Sequence, residues 1–287
     1  MLFADDIKME MYIMLNSKKY KELDNDINQL KLIEKKIRNN NYISTIISII
    51  IFIIINSFRR TYNYILDYNY FKDSIITLKI NGTRDNWILS NDFRCSRDVS
   101  YIGACLKEVY INYNKQDDIE KRYFFNQTEN FVELIFKDNI NSCENMFSSC
   151  PNIIEINLSD FNTSSIESME SMFNGCSSLT LLNLSNFDTS KVTNMDYMFN
   201  ECSSLTFLNL SIFNTSLVQT MNSMFCGCKS FKILNIFDFD TSLVTTMDSM
   251  FSRCSSLTSL NLSNFDTSVV TNMYFMFNNC SSLTSLN

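Results

Sequence analysis

The stretch Asn186–Ser211 reads NFDTSKVTNMDYMFNECSSLTFLNLS, and Asn264 opens a near copy, NFDTSVVTNMYFMFNNCSSLTSLN. The Cys after each Met-Phe falls at Cys150, Cys176, Cys202, Cys228, Cys254 and Cys280, so every interval is 26 residues. The aromatic of Met-Phe keeps the same step through Phe147, Phe173, Phe199, Phe225, Phe251 and Phe277. Leu182, Leu208, Leu234, Leu260 and Leu286 follow it. A fixed period of this length with no insertions is the mark of stacked repeats, in which each copy buries its apolar face only against its neighbours.

Within one copy, Leu182-x-Leu184 alternates and predicts a strand over Thr180–Ser185. Asp188-Thr189-Ser190 is turn chemistry, since short polar side chains bond nearby backbone N–H groups. Met195, Met198, Phe199 and Cys202 are spaced 3, 1 and 3, which suits a short helical turn with one buried face. The expectation is an α/β repeat solenoid, with leucine-rich-repeat-like coils on one parallel sheet. A small β-rich segment and an N-terminal helix plus apolar segment would precede it. Stacked strands lie about 4.8 Å apart, so each residue sits over its copy, and every buried Phe or Met adds on the order of 1.5–3 kcal/mol.

Outside the repeats three regions differ in composition. Residues 1–41 are charged, with Tyr20, Leu23, Ile27, Leu30, Ile33 and Ile37 at helical spacing. Residues 42–60 hold the apolar run ISTIISIIIFIIINSF (43–58). That run reads as a signal anchor with the N-terminus in the cytoplasm, or as the core of a signal peptide; a buried core segment is the third reading. Residues 61–140 read as a β-rich cap, with SIITLKING ending in a hairpin signal and KEVYINYNK and NFVELIF as further strands. The repeats occupy 141–287 and stop mid-coil, so the natural protein is expected to continue or to pair end to end with another chain.

The net charge of −7 argues against an electrostatic grip on nucleic acid. Histidine is absent, which removes the commonest general base and metal ligand. Six of the ten Cys form the ladder; their spacing is not that of a zinc site, and they read as buried thiols. Cys95 and Cys105 lie outside it, and a bridge between them is compatible with export. No catalytic residue, metal or cofactor is expected.

Alternation turns Asn183 and Ser185 outward. The column through Glu155, Leu181, Phe207, Ile233, Ser259 and Ser285 varies between copies, as a recognition surface on a repeat protein does, although a merely unconstrained column reads the same way. Phe207, Ile233 and Phe237 would form an exposed apolar patch. Asn183, Asn209, Asn235 and Asn261, with Asn157, form an amide column. Asn-x-Ser/Thr sequons at Asn81, Asn126, Asn157, Asn162, Asn183, Asn209, Asn214 and Asn261 permit glycosylation on export, though not on every rung of one column.

The segments CSSLTFLNLS (Cys202–Ser211) and NFDTSKVTNMDYMF (Asn186–Phe199), with their copies, resemble BspA-like leucine-rich-repeat surface proteins. More narrowly, they resemble a repeat first described as a mycoplasma domain of unknown function. The resemblance spans about 75–287 and implies a surface-displayed solenoid that binds protein or glycan, often in adhesion, without catalysis. Phe187 stands where ordinary leucine-rich repeats place Asn. An intracellular interaction scaffold is the alternative. A remote one lies in MLFADDIK, whose Asp5 and Asp6 resemble the metal-binding pair of reverse transcriptases.

Overall fold

A computed structural model describes residues 74–95, 102–137 and 140–286, all within one compact unit, 73–287. The N-terminal helix expected at Tyr20–Ile37, the apolar run 43–58 and Asp5 and Asp6 lie outside the described residues.

The strands are β1 (Ser74–Asn81), β2 (Arg84–Trp87), β3 (Leu106–Ile111), β4 (Asn114–Lys115), β5 (Arg122–Phe125), β6 (Glu129–Phe136), β7 (Ile153–Asp160), β8 (Leu181–Asn183), β9 (Ser259–Leu260) and β10 (Ser285–Leu286). A six-stranded sheet has the order β4-β3-β6-β1-β7-β8. Its neighbours are antiparallel until β7 meets β8, where pairing turns parallel. β1 alternates, with Ile76, Leu78 and Ile80 buried and Thr77 exposed. Gly82 takes the left-handed φ of 103° its turn needs, yet no β1–β2 hairpin forms, because β2 leaves to pair with β5. The antiparallel strands thus seat the first repeat: β1 covers β7, and the repeats continue from β7 onward.

The repeats differ from the expected α/β solenoid. The described residues contain no α-helix; a three-residue 3-10 turn at Ile102–Ala104 is their sole helical element. The fold is mostly β and turn, without the strand-and-helix closure of a leucine-rich-repeat coil. Where a helical turn was expected, two tight turns follow one another. Met198 N–H donates to Met195 O and Cys202 N–H to Phe199 O, at 3.3 and 3.1 Å. Tyr197 and Glu201, third in each turn, have φ of 56°, which no right-handed helix accepts. Two such turns present Met195, Met198, Phe199 and Cys202 to one side with the same 3, 1, 3 spacing as a helix face. The spacing alone cannot separate the two.

The intervening N–H groups point along the stack. Those of Met195, Tyr197, Phe199 and Glu201 donate to the carbonyls of Thr220, Asn222, Met224 and Cys226 in the next repeat, at 2.7–3.1 Å. Parallel bridges link Ser142, Ser168, Asn194, Thr220, Thr246 and Asn272 in a line. Thr189 is buried, donating its hydroxyl to Asn214 O and accepting from Asn214 N–H, at 2.9 and 2.8 Å. Thr215 and Thr241 repeat the donation to the following copy.

One apolar core runs from Ile76 to Met276. Along it Phe147, Phe173, Phe199, Phe225, Phe251 and Phe277 stack with centroids 5.5–5.9 Å apart and planes within 10°, an offset stack that the ring quadrupoles tolerate. Phe199→Ala removes two of these contacts inside a filled core. The expected loss is about 3–5 kcal/mol, read as a fall in the urea midpoint. Phe277→Ala, half-buried with one stacked partner, falls by clearly less.

Gly227, φ 72°, lies between Glu201 and Arg253 in its column. The missing side chain leaves room for Glu201 Oε1 and Arg253 Nη2 to meet at 2.7 Å, and a Cβ there would stand 2.6 Å from the Glu201 carboxylate. At Gly175 the nearest atom would be 3.6 Å away. Both Gly→Ala changes are expected to cost about 1–2 kcal/mol for the left-handed backbone. Gly227→Ala additionally loses the ion pair, worth up to ~1 kcal/mol, and that excess disappears in urea melts at molar salt.

Candidate functional site

The outer face of the sheet is built by direct pairing. Lys79 on β1 lies opposite Phe131 on β6 and Glu155 on β7, and Glu155 lies opposite Leu181 on β8. Directly opposed residues share a face, so these four form one row. The 26-residue register continues it through Phe207 to Ile233, which bridges to Ser259, which in turn pairs with Ser285. Pairing is observed at the two ends of the predicted column, Lys79–Glu155–Leu181 and Ile233–Ser259–Ser285, and the 26-residue step alone sets Phe207 between them. Leu181, Phe207 and Ile233 are 58%, 74% and 68% exposed, while Leu208, Leu234 and Leu260, one residue on, are buried. Phe237 is 41% exposed two rows over, and Ser259 and Glu155 are half-buried.

Between these rows runs the amide column. Asn183 Nδ2 donates to Asn157 Oδ1 at 2.8 Å. The Oδ1 atoms of Asn183, Asn209, Asn235 and Asn261 accept the N–H of Ser185, Ser211, Phe237 and Ser263, at 3.0–3.3 Å. Each amide thereby closes a turn after its strand segment, and its orientation is fixed by the backbone. Asn209, Asn235 and Asn261 are exposed.

Sequence reading missed the antiparallel end of the row, because Lys79 and Phe131 lie outside the repeats. The Lys79 ammonium is 3.3 Å from Glu129 and 3.6 Å from Glu155 and 6.0 Å from the Phe131 ring centroid. Its hydrogen bond to Glu129, with the Glu155 carboxylate beside it, holds its pKa above the ordinary lysine value. It also missed a second exposed ridge, Leu217, Leu243 and Val269, at 44–49% exposure. The 26-residue step places those three on successive repeats, and counting that column would have found them.

The thiol ladder lies inside. Cys150, Cys176, Cys202, Cys228 and Cys254 are buried and Cys280 is half-buried. Sγ of Cys176, Cys202, Cys228, Cys254 and Cys280 reaches the carbonyl of Phe147, Phe173, Phe199, Phe225 and Phe251 in the preceding copy, at 3.0–3.2 Å. Burial pushes the Cys150 and Cys254 thiols up to about 12 and those of Cys176, Cys202 and Cys228 upward as well. A buried thiol held protonated at neutral pH is a poor nucleophile. Among the described residues no group of His, Cys, Asp or Glu is arranged to hold a metal ion. Cys95 and Cys105, apart from the ladder, are joined in a disulfide with Cα atoms 6.1 Å apart. With a thiol-specific disulfide reagent at pH 8, Cys280 is expected to react first in the native protein. The ladder thiols Cys150 to Cys254 should react only on unfolding; rapid native labelling of any of them would contradict the burial.

No helix among the described residues is long and apolar enough to cross a membrane. The single-pass anchor expected from the sequence, with its cytoplasmic N-terminus and cell-surface placement, is corrected accordingly; its run at 43–58 lies outside the described residues.

The chain matches the family described as "Mycoplasma protein of unknown function, DUF285" twice, over residues 117–209 and 201–286. Together these matches cover more than half of the chain. No curated protein and no solved structure matches it.

Proposed function

The chain belongs to the DUF285 repeat family, and on that footing we propose that it is a secreted, non-enzymatic binding protein that engages a protein or glycan in adhesion. The observation that carries this reading is the row Leu181, Phe207 and Ile233, which stays exposed while Leu208 and Leu234, the residues that follow Phe207 and Ile233, are buried. A contiguous exposed apolar row on a stiff stack has no role in folding and suits a contact surface. The finer kinship, with BspA-like surface proteins, rests on CSSLTFLNLS and NFDTSKVTNMDYMF. The Cys95–Cys105 disulfide suits an oxidising compartment.

A second reading is an intracellular interaction scaffold, and eight free cysteines favour it. Export separates the two. The chain, tagged at its C-terminal end and expressed in a cell of its own kind, is expected in the medium or on intact cells. A tag detectable only after permeabilisation favours the intracellular scaffold. For the face itself, labelled protein is expected to bind target cells, and Phe207→Ser with Phe237→Ser to weaken that binding at least about tenfold, as loss of anchor side chains does. Unchanged binding removes this patch from the function.

A further inference from the structure

We propose that the occupant of this face is a neutral, linear polysaccharide lying along the stack and crossing the strands, with one sugar ring on each of the rungs Leu181, Phe207 and Ile233. This rests on the reading of the face as a binding surface and names the chemistry of its ligand.

Charge comes first. The four segments around the apolar rungs, 180–186, 206–212, 232–238 and 258–264, carry one cation, Lys232, and one anion, Asp238, and the charges at the cap end of the row, Lys79 and Glu155, face each other at 3.6 Å. Every other outward residue of those four segments is apolar or an uncharged Asn, Ser or Thr. On a chain of net charge −7, so neutral a strip selects an uncharged partner, since a fixed charge on the ligand would lose water without gaining a counter-charge.

Size and shape come next. Three exposed apolar side chains in single file make a narrow row rather than the broad patch of ~800 Å² that each partner of a stable protein complex covers. Main-chain groups at either end of the row are bonded along the stack, Thr180 N–H to Ile154 O and Thr258 N–H to Lys232 O, at 2.9 and 3.0 Å. A peptide added as a strand would have to displace the next repeat, because strand addition needs a free edge. The row is one side chain wide, so it offers no groove for a helix.

A glycan meets each condition. Paired strands lie ~4.8 Å apart and the Phe ladder inside the same repeats recurs at 5.5–5.9 Å, spacings that bracket the length of one pyranose unit, so a chain of rings stays in step with the side chains. The C–H face of a sugar ring packs on Phe207 and on the aliphatic rungs. Beside them the amides of Asn209 and Asn235 are exposed and pinned through Oδ1 by the N–H of Ser211 and Phe237. Their Nδ2 groups are left as outward donors for ring and hydroxyl oxygens. Pinned donors lose little freedom on binding.

The test is affinity electrophoresis of the full chain in native gels containing a linear β-glucan, a linear β-mannan, amylose or, as a charged comparator, hyaluronate. At least one neutral polymer should retard it, and hyaluronate should not. Phe207→Ala, Ile233→Ala and Asn209→Ala should each weaken the retardation at least about fivefold. Leu243→Ala, off the row, should leave it unchanged, with melting curves confirming that every variant is folded. If no neutral polymer retards the chain, or if hyaluronate retards it more strongly, the glycan assignment falls. Retardation indifferent to the three variants also overturns it, by placing the ligand elsewhere. If protease treatment of target cells abolishes binding that still depends on Phe207 and Phe237, the face stands and its partner is a protein. If binding ignores Phe207 and Phe237 as well, the face itself falls.

Discussion

The division of backbone N–H groups between two directions is the constraint on which the rest of this structure depends. Around each Met-Phe, alternate N–H groups close turns within the repeat, as Met198 to Met195 and Cys202 to Phe199, and the others donate to the next repeat, as Met195 to Thr220 and Phe199 to Met224. A buried backbone donor left unpaired costs about as much as a lost hydrogen bond, so both sets must be satisfied together. An inserted or deleted residue would put the second set out of register for the whole stack. That is why the interval never departs from 26 residues, and why Phe falls on Phe at 5.5–5.9 Å.

The cysteines fit the same constraint. A Phe carbonyl closes its own turn by accepting the N–H of the following Cys, as Phe173 does for Cys176, and it also accepts Sγ of the Cys one repeat on, as from Cys202. Cys is small enough for that site, apolar enough to be buried there, and a weak donor aimed at an acceptor in reach. A ladder that looks like chemistry in the sequence is a packing solution.

How much of this was legible depends on the residue. The period, the apolar columns and the outward row at Leu181, Phe207 and Ile233 follow from counting, because identical neighbours at fixed register leave each column one environment. Local conformation was less legible. Tyr197, Ser249 and Phe275 adopt φ of 54–56°, and nothing about Tyr, Ser or Phe announces a left-handed backbone; Gly175 and Gly227 at the companion position were the available hint. Reading the 3, 1, 3 spacing as a helix ignored them. The antiparallel cap hides its topology for a different reason. β1 sits between β6 and β7, so its partners lie some fifty and eighty residues away, and alternation reports a strand without reporting its neighbours.

Stack and face are consequences of one another. Because every rung is locked to the next through backbone bonds, Thr hydroxyls, Phe rings and thiols, the side chains left outside inherit the spacing of the rungs. Phe207 cannot drift far from Leu181 or Ile233 without straining the bonds that tie their repeats together, Phe173 N–H to Met198 O and Phe199 N–H to Met224 O. The row therefore reaches a ligand already ordered, and the entropy of arranging it was lost on folding rather than on binding. Such a surface discriminates by spacing and by lack of charge rather than by a pocket, and it changes from copy to copy without disturbing the core. The substitution of Phe237 for the Ser of other copies shows that freedom. It adds apolar surface beside Ile233 and removes the sequon at Asn235, yet Phe237 N–H still closes the turn onto Asn235 Oδ1 at 3.3 Å. The backbone bond that the stack requires is kept, and only the displayed chemistry differs.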